Sequence, residues 1–289
     1  MMKNVAVVTD TTACIPQEKV TEYGIELVPI EVIFDNRVYR DGIDISPTEF
    51  YTMLRQTDKM PTTSGSLPIP YLEAYRRASQ RSGGILCITE SSKFTGMSNS
   101  ARLAMEMAKK ELPGMAIQVL ECSSAAAGQG LVVLAAAREA GAGKSLEEIV
   151  EMVNRLMPRV HLFASLETLH YLVRSGRVPQ AAELVNSILK IKPVFSVNGG
   201  EAHTLALPRS IDSAINNILR LMGRKIGKGQ AAHVAVMHAD ALERALYLRD
   251  RIASRFNCIE LFITEFTPVI GVHTGPGVIG AAFYYEEQG

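Results

Sequence analysis

The chain has 289 residues, 47% of them hydrophobic and 21% charged. That length exceeds one ordinary domain, and the composition suits a globular protein with a sizeable buried core. Its 30 Lys and Arg balance 30 Asp and Glu, so it lacks the basic surplus of a nucleic-acid binder and any Lys/Arg block for an anionic membrane surface.

No run of about 18 apolar residues would cross a bilayer, and the apolar start at 4–9 is too short for a signal peptide. Cys14, Cys87, Cys122 and Cys258 are far apart and form no CxxC pair, which fits a cytoplasmic protein without disulfides. In chain order, residues 4–9 (NVAVVT) read as a buried strand ending in the polar loop 10–14 (DTTAC). Residues 25–34 (IELVPIEVIF) read as one further strand, turned at Asp35 to Arg37. Ser46, Pro47 and Glu49 form a capping box with proline at the first helical position, so a helix starts there. The loop 60–68 (MPTTSGSLP) carries four hydroxyls and no acid, base or metal ligand, and a helix follows over 71–79. Strands are expected at 84–89 and 116–121, with a polar loop and a helix over 101–112 between them, and a small-residue helix over 125–140.

From about residue 160 the alternation resumes. A strand at 160–165 and helices at 166–176 and 181–190 lead to Asn198-Gly199-Gly200, a hairpin turn between strands 192–197 and 201–207. A helix over 210–222, a strand at 233–238, a helix over 241–254 and strands at 258–264 and 277–285 complete the chain. Such alternation predicts an α/β protein with a parallel sheet, and the hairpin makes the second half mixed. The expected division is an N-terminal α/β domain over 1–160 and a C-terminal mixed domain over 161–289.

GAGKS at 141–145 is not a P-loop: Arg138 stands where the first glycine belongs, and the stretch follows a helix. Ser145 with Glu148 instead caps the next helix. The six histidines (His161, His170, His203, His233, His238, His273) show no metal-ligand spacing. His273 lies in HTGPGVIG, which reads equally as a ligand-contacting turn or a plain one. No GxSxG elbow is present. Three polar loops follow strands, at 10–14, 89–100 and 121–130, where open α/β sheets bind ligands. The loop 89–100 also leads into a helix, whose first amides favour an anion.

Seven stretches carry a resemblance: VVTDTTACIP, DGIDISPTEFYTML, MPTTSGS, SSKFTGMSNSA, GRV at 176–178, KPVFSVNGG and HTGPGVIG. In this order and spacing the chain resembles the DegV family of fatty-acid-binding proteins over nearly its whole length. The resemblance implies a two-domain DegV-like α/β fold with a fatty acid held between or within the domains. It implies a carboxylate gripped by Thr63 and Thr95, with Gly96 beside it. It matches Arg177 and His273 to positions serving the site mouth and the encounter with a kinase. That separate fatty acid kinase would convert the bound acid to an acyl phosphate for phospholipid synthesis. The chain itself would be a non-catalytic cytoplasmic carrier with no cofactor or metal, in transient reach of a membrane surface. Cys14, Met97, Glu121-Cys122 and Gly65-Ser66 depart from the family pattern.

The chemistry suits these residues. Burying a tail contributes about 0.8 kcal/mol per methylene, but the carboxylate needs donors. Neutral hydroxyls and amides supply them and leave the oxygens nucleophilic toward a phosphoryl group. Phe94, Met97, the Leu and Met residues of 101–112 and apolar positions around 160–195 could supply the tail pocket, although for any single one of them packing in the core is the commoner role. Thr62, Ser64 and Ser66 are expected to shape the loop or cap the following helix. Two alternatives stand beside the carrier: an acyl-ester hydrolase or acyltransferase using a loop Ser/Thr with His273, and a lipid sensor.

Overall fold

A computed structural model describes residues 3–57, 59–64, 67–177 and 191–286. The helix expected over 181–190 and the residues Gly65 and Ser66 lie outside these. In chain order the first half forms β1 (Lys3–Asp10), α1 (Gln17–Tyr23), β2 (Glu26–Val28), β3 (Glu31–Phe34), β4 (Arg37–Arg40), α2 (Pro47–Arg55), β5 (Thr62–Thr63), α3 (Pro68–Ser79), β6 (Ser82–Thr89), α4 (Met97–Glu111), β7 (Ala116–Glu121), α5 (Ala127–Gly141) and α6 (Leu146–Leu156). The second half forms β8 (His161–Ser165), α7 (His170–Ser175), β9 (Val194–Asn198), β10 (Glu201–Ala206), α8 (Ile211–Lys225), β11 (Ala231–His238), α9 (Leu242–Ala253), β12 (Asn257–Glu265), α10 (Pro268–Thr274) and β13 (Ile279–Tyr285).

β1 and β6 read as nearly continuous apolar runs because they occupy the centre of a four-stranded parallel sheet, ordered β2-β1-β6-β7. The expected strand 25–34 is in fact two. Pro29 has no N–H for a ladder, so the chain leaves the parallel sheet there. β3 then pairs antiparallel with β4 and β5 in a separate three-stranded sheet. The capping box at Ser46 and Glu49 is present, with Glu49 N donating to Ser46 Oγ at 3.3 Å. A second box at Ser145 and Glu148 opens α6 just after α5 ends.

The second half is a mixed sheet ordered β10-β9-β8-β13-β11-β12, with only β11 and β12 parallel. Gly199 and Gly200 turn the β9–β10 hairpin with φ of 59° and 73°, as a type I′ turn requires. Two short helices escaped the sequence reading. α1 is bracketed by Pro16 and Gly24 over only seven residues. α10 is apolar over its first five residues, so it shows no amphipathic period.

α5 joins the halves. Every residue from Ala127 to Ala137 is buried, because the helix packs on β1 and β6 on one side and on β11 and β13 on the other. An all-round apolar helix is what such a site needs. One hydrophobic cluster accordingly runs through both halves, from Val8 and Ile88 through Leu134 to Ala235 and Ala282. A second holds α8 and α9 under the mixed sheet through Ile215, Leu219, Leu248 and Phe283. Polar bonds reinforce the junction: Thr267 Oγ1 donates to Thr11 O at 3.0 Å, Tyr51 OH to Phe266 O at 3.2 Å and Val269 N to Asp41 Oδ2 at 3.2 Å. Glu260 on β12 receives Lys19 at 3.0 Å, the His233 ring at 3.0 Å and Arg138 of α5.

Small residues let α5 sit this close. A Cβ on Gly130 would lie 2.5 Å from Ala13 O and 3.2 Å from Ile15 Cγ1, whereas one on Gly141 meets nothing within 4 Å. Gly130→Ala is therefore expected to lower the urea midpoint by an amount equivalent to about 1–3 kcal/mol, with the m-value unchanged. Gly141→Ala in the same helix should be neutral or slightly stabilising. Equal midpoints for the two variants would contradict the close approach.

Candidate functional site

The loops that follow β1, β6 and β7 face the second half across a cavity of about 210 Å³. A water occupies roughly 30 Å³, so the space suits a ligand rather than single solvent molecules. Thr12, Glu90, Phe94, Met97, Ala125 and Ala126 line it from the first half. Leu162, Ala164 and Leu166 on and after β8, Phe195 and Val197 on β9, Ala202 on β10, and Phe266, Val269, Ile270 and Val278 around α10 line it from the second. The wall is overwhelmingly apolar.

Thr63, Thr95, Gly96, Arg177 and His273, the five residues singled out in sequence, all border this one cavity. Thr63 sits on β5 opposite Val32. Its neighbour Ser64 is committed to the loop, donating from N to Glu31 O at 3.1 Å and from Oγ to Glu31 Oε2 at 2.9 Å. Thr62 is exposed. Thr95 Oγ1 accepts from Met97 N at 2.9 Å at the start of α4. That bond uses an acceptor lone pair and leaves the Thr95 hydroxyl proton free to donate outward.

His273 is in the last turn of α10, so the HTGPG stretch is a helix end rather than a bare hairpin turn. Its Nδ1 is buried with no hydrogen-bond partner. Burial pushes the imidazole down to about 4, and the positive charge of Arg177 adds to the effect. His273 is therefore neutral near pH 7. Arg177 is exposed, and its Nη1 donates to Ser175 O at 2.7 Å. Among the described residues no carboxylate orients the His273 ring.

Of the residues considered for the tail pocket, Phe94, Met97 and several positions between 162 and 195 border the cavity. The Leu and Met residues of 101–112 do not. Leu103 is 57% exposed and Met107 36% exposed, while Met105 packs on the core elsewhere. The helix buries Ala101, Ala104 and Ala108 instead, because its small face permits close packing on the sheet. Two of the departures from the family pattern, Glu121 and Cys14, are accommodated. Glu121 accepts from Ser92 N at 2.7 Å and Ser92 Oγ at 2.8 Å, tying down the loop before α4. The Cys14 thiol is buried and pushed up to about 12, which leaves it unreactive at neutral pH.

Sequence reasoning did not single out the buried acids beside the cavity. Asp10 is satisfied by Tyr71 OH at 2.9 Å, Thr12 N at 3.1 Å and the Thr12 hydroxyl, yet burial still raises its pKa. Burial carries Asp41 up to about 7, and its Oδ1 has no partner. Glu90 is carried up to about 8 by burial and then by the charge of Asp10. A lone acid between strand and loop in CITESS was the available signal, but its burial depends on the second half packing over it. Among the described residues no three His, Cys, Asp or Glu side chains gather as a metal site, and no helix is long and apolar enough to cross a membrane.

A parallel sheet and a mixed sheet joined by a buried helix, with an apolar cavity closed between them, define a class of α/β protein. The chain belongs to the DegV family, which is matched over residues 4–286. A DegV domain-containing protein from Caldanaerobacter subterraneus subsp. tengcongensis is 31% identical over 287 residues, covering 99% of this chain and all of the relative. Among solved structures, a DegV family protein from Thermus thermophilus described for fatty acid binding has a TM-score of 0.89 at 29% identity, covering 99% of this chain and 100% of its own. DegV from Bacillus subtilis, described as a fatty acid binding protein, has a TM-score of 0.87 at 27% identity, covering 98% and 100%.

The buried acids set a pH dependence. A carboxyl whose folded pKa is raised contributes stability that is full below its unfolded pKa and lost as pH rises through the folded value. His161 and His273, both pushed down to about 4 by burial, act oppositely but only below about 6.5. From pH 6.5 to 8.5 the thermal midpoint is therefore expected to fall, with Asp41 and Glu90 responsible. Glu90→Gln should make that fall shallower, and an unchanged slope would contradict the assignment.

Proposed function

We propose that this chain is a carrier that binds one long-chain fatty acid, tail in the cavity and carboxylate at Thr63, Thr95 and Gly96. The observation that carries this reading is the pairing of an apolar cavity with two threonine hydroxyls on its border that have protons to give. A buried carboxylate needs such donors, and the start of α4 adds free amides beside them. The fatty-acid binding described for the relatives from Thermus thermophilus and Bacillus subtilis supports the same ligand. We take residues 1–160 as the domain bearing the carboxylate loops and residues 161–289 as the domain supplying much of the tail wall.

The carrier presents its ligand to a separate fatty acid kinase for acyl-phosphate formation. Neutral His273 and exposed Arg177 lie at the mouth, where they meet the head group and the kinase. The reading makes the chain non-catalytic: among the described residues His273 has no carboxylate to orient it as a base, and GAGKS is a helix junction rather than a phosphate loop. Its place is the cytoplasm, with transient contact at the membrane surface where acyl chains are exchanged.

Organic extraction of the purified protein followed by mass spectrometry is expected to release about one free fatty acid per chain. Hydrogen bonds to a charged group are worth about 1.5–3 kcal/mol each, so Thr63→Val with Thr95→Val should weaken palmitate binding roughly a hundredfold or more. Unchanged affinity in the double variant would refute the head-group assignment. A lipid-free extract with ester turnover that His273→Ala abolishes would replace the carrier by a hydrolase.

A further inference from the structure

Glu90 is the polar group that the fatty-acid reading leaves without work. It follows the carboxyl end of β6, is 6% exposed and lines the cavity among Phe94, Met97 and Leu162. No hydrogen bond reaches its carboxyl among the described residues, and no cation offsets it, since the charged neighbour that acts on it is the acid Asp10. A carboxyl held this way in an apolar wall is costly unless something in the cavity pairs with it. Plain hydrocarbon cannot.

We propose that Glu90 pairs with a hydroxyl on the acyl chain, so that the cavity selects a hydroxylated fatty acid over its unsubstituted parent. This rests on the fatty-acid reading above. Held up to about 8, the carboxyl is the neutral acid at pH 7, with one O–H to donate and a carbonyl oxygen to accept. A chain hydroxyl offers the matching acceptor and donor, and the pair satisfies both groups inside the apolar wall. A second carboxylate would not fit, because among the described residues no cation stands beside Glu90 to pair with a buried charge.

The test uses the full-length protein stripped of lipid at pH 7, with palmitate and a positional series of monohydroxypalmitates competing against a fluorescent fatty acid. At least one hydroxylated isomer is expected to bind about tenfold tighter than palmitate. Glu90→Gln, which keeps a donor and an acceptor, should retain most of that preference, and Glu90→Leu should abolish it. No preference in the unaltered protein, or a preference that survives Glu90→Leu, overturns the role of Glu90 while leaving the carrier intact. Equal weakening of palmitate and its hydroxylated isomers by Glu90→Leu overturns it in favour of a contact to the ligand carboxylate. Failure of every acid, palmitate included, would sink the carrier reading itself.

Discussion

The structure depends on the burial of α5 from both sides. A helix with no polar face has no stable place on a surface, so the two sheets must close on it together. That requirement explains the run of Ala and Gly between Ala125 and Ala137, which lets the backbone approach the turn at Ala13 as well as the strands. It also explains why one hydrophobic cluster includes both Val8 and Ala282. With α5 fixed, the loops after β1, β6 and β7 are held against β8, β9 and α10, and the cavity is the space their side chains leave.

That cavity is built almost without fixed charge. The acid that lines it is held neutral by burial, the histidine beside it is held neutral by the same effect acting in the opposite direction, and the arginine stays in water. One cause, low polarisability, gives both shifts. An anionic head group entering such a site meets hydroxyl protons and amides rather than an ion-pair clamp. In the function proposed above, it would be satisfied without being neutralised, and its oxygens would stay available for the chemistry of a partner protein.

The sequence displayed the features that are local. Capping at Ser46 and Ser145, the glycine turn at Gly199-Gly200 and the apolar runs of β1 and β6 each carry their cause within a few residues. Thr63, Thr95, Arg177 and His273, which border the cavity, were legible through family motifs, not through spacing. What stayed hidden depends on partners distant in the chain. Pro29 divides one apolar run because the flanking residues join different sheets. Leu103 and Met107 looked like lining, but α4 turns its alanines inward. Glu90 passed unremarked in the sequence, because its burial depends on residues of the second half.

The β9–β10 hairpin ties these levels together. Its strands supply Phe195, Val197 and Ala202 to the apolar wall. Its turn docks on two loops: Gly200 N donates to Ser123 O in the loop before α5 at 2.8 Å, and Glu201 pairs with Lys93 in the loop before α4 at 2.7 Å. A Cβ on Gly200 would sit 2.2 Å from Ser91 Oγ, so only glycine allows the docking as well as the turn. Ser91 and Ser92, in the same loop as Thr95, which follows Ser92 by three residues, are held in turn by Glu121. The element that closes the tail cavity therefore also steadies the loop that offers the hydroxyl. A fatty acid bound as proposed would have its tail wall and its head-group loop braced by this one hairpin, which makes chain and head group a single recognition problem for the fold.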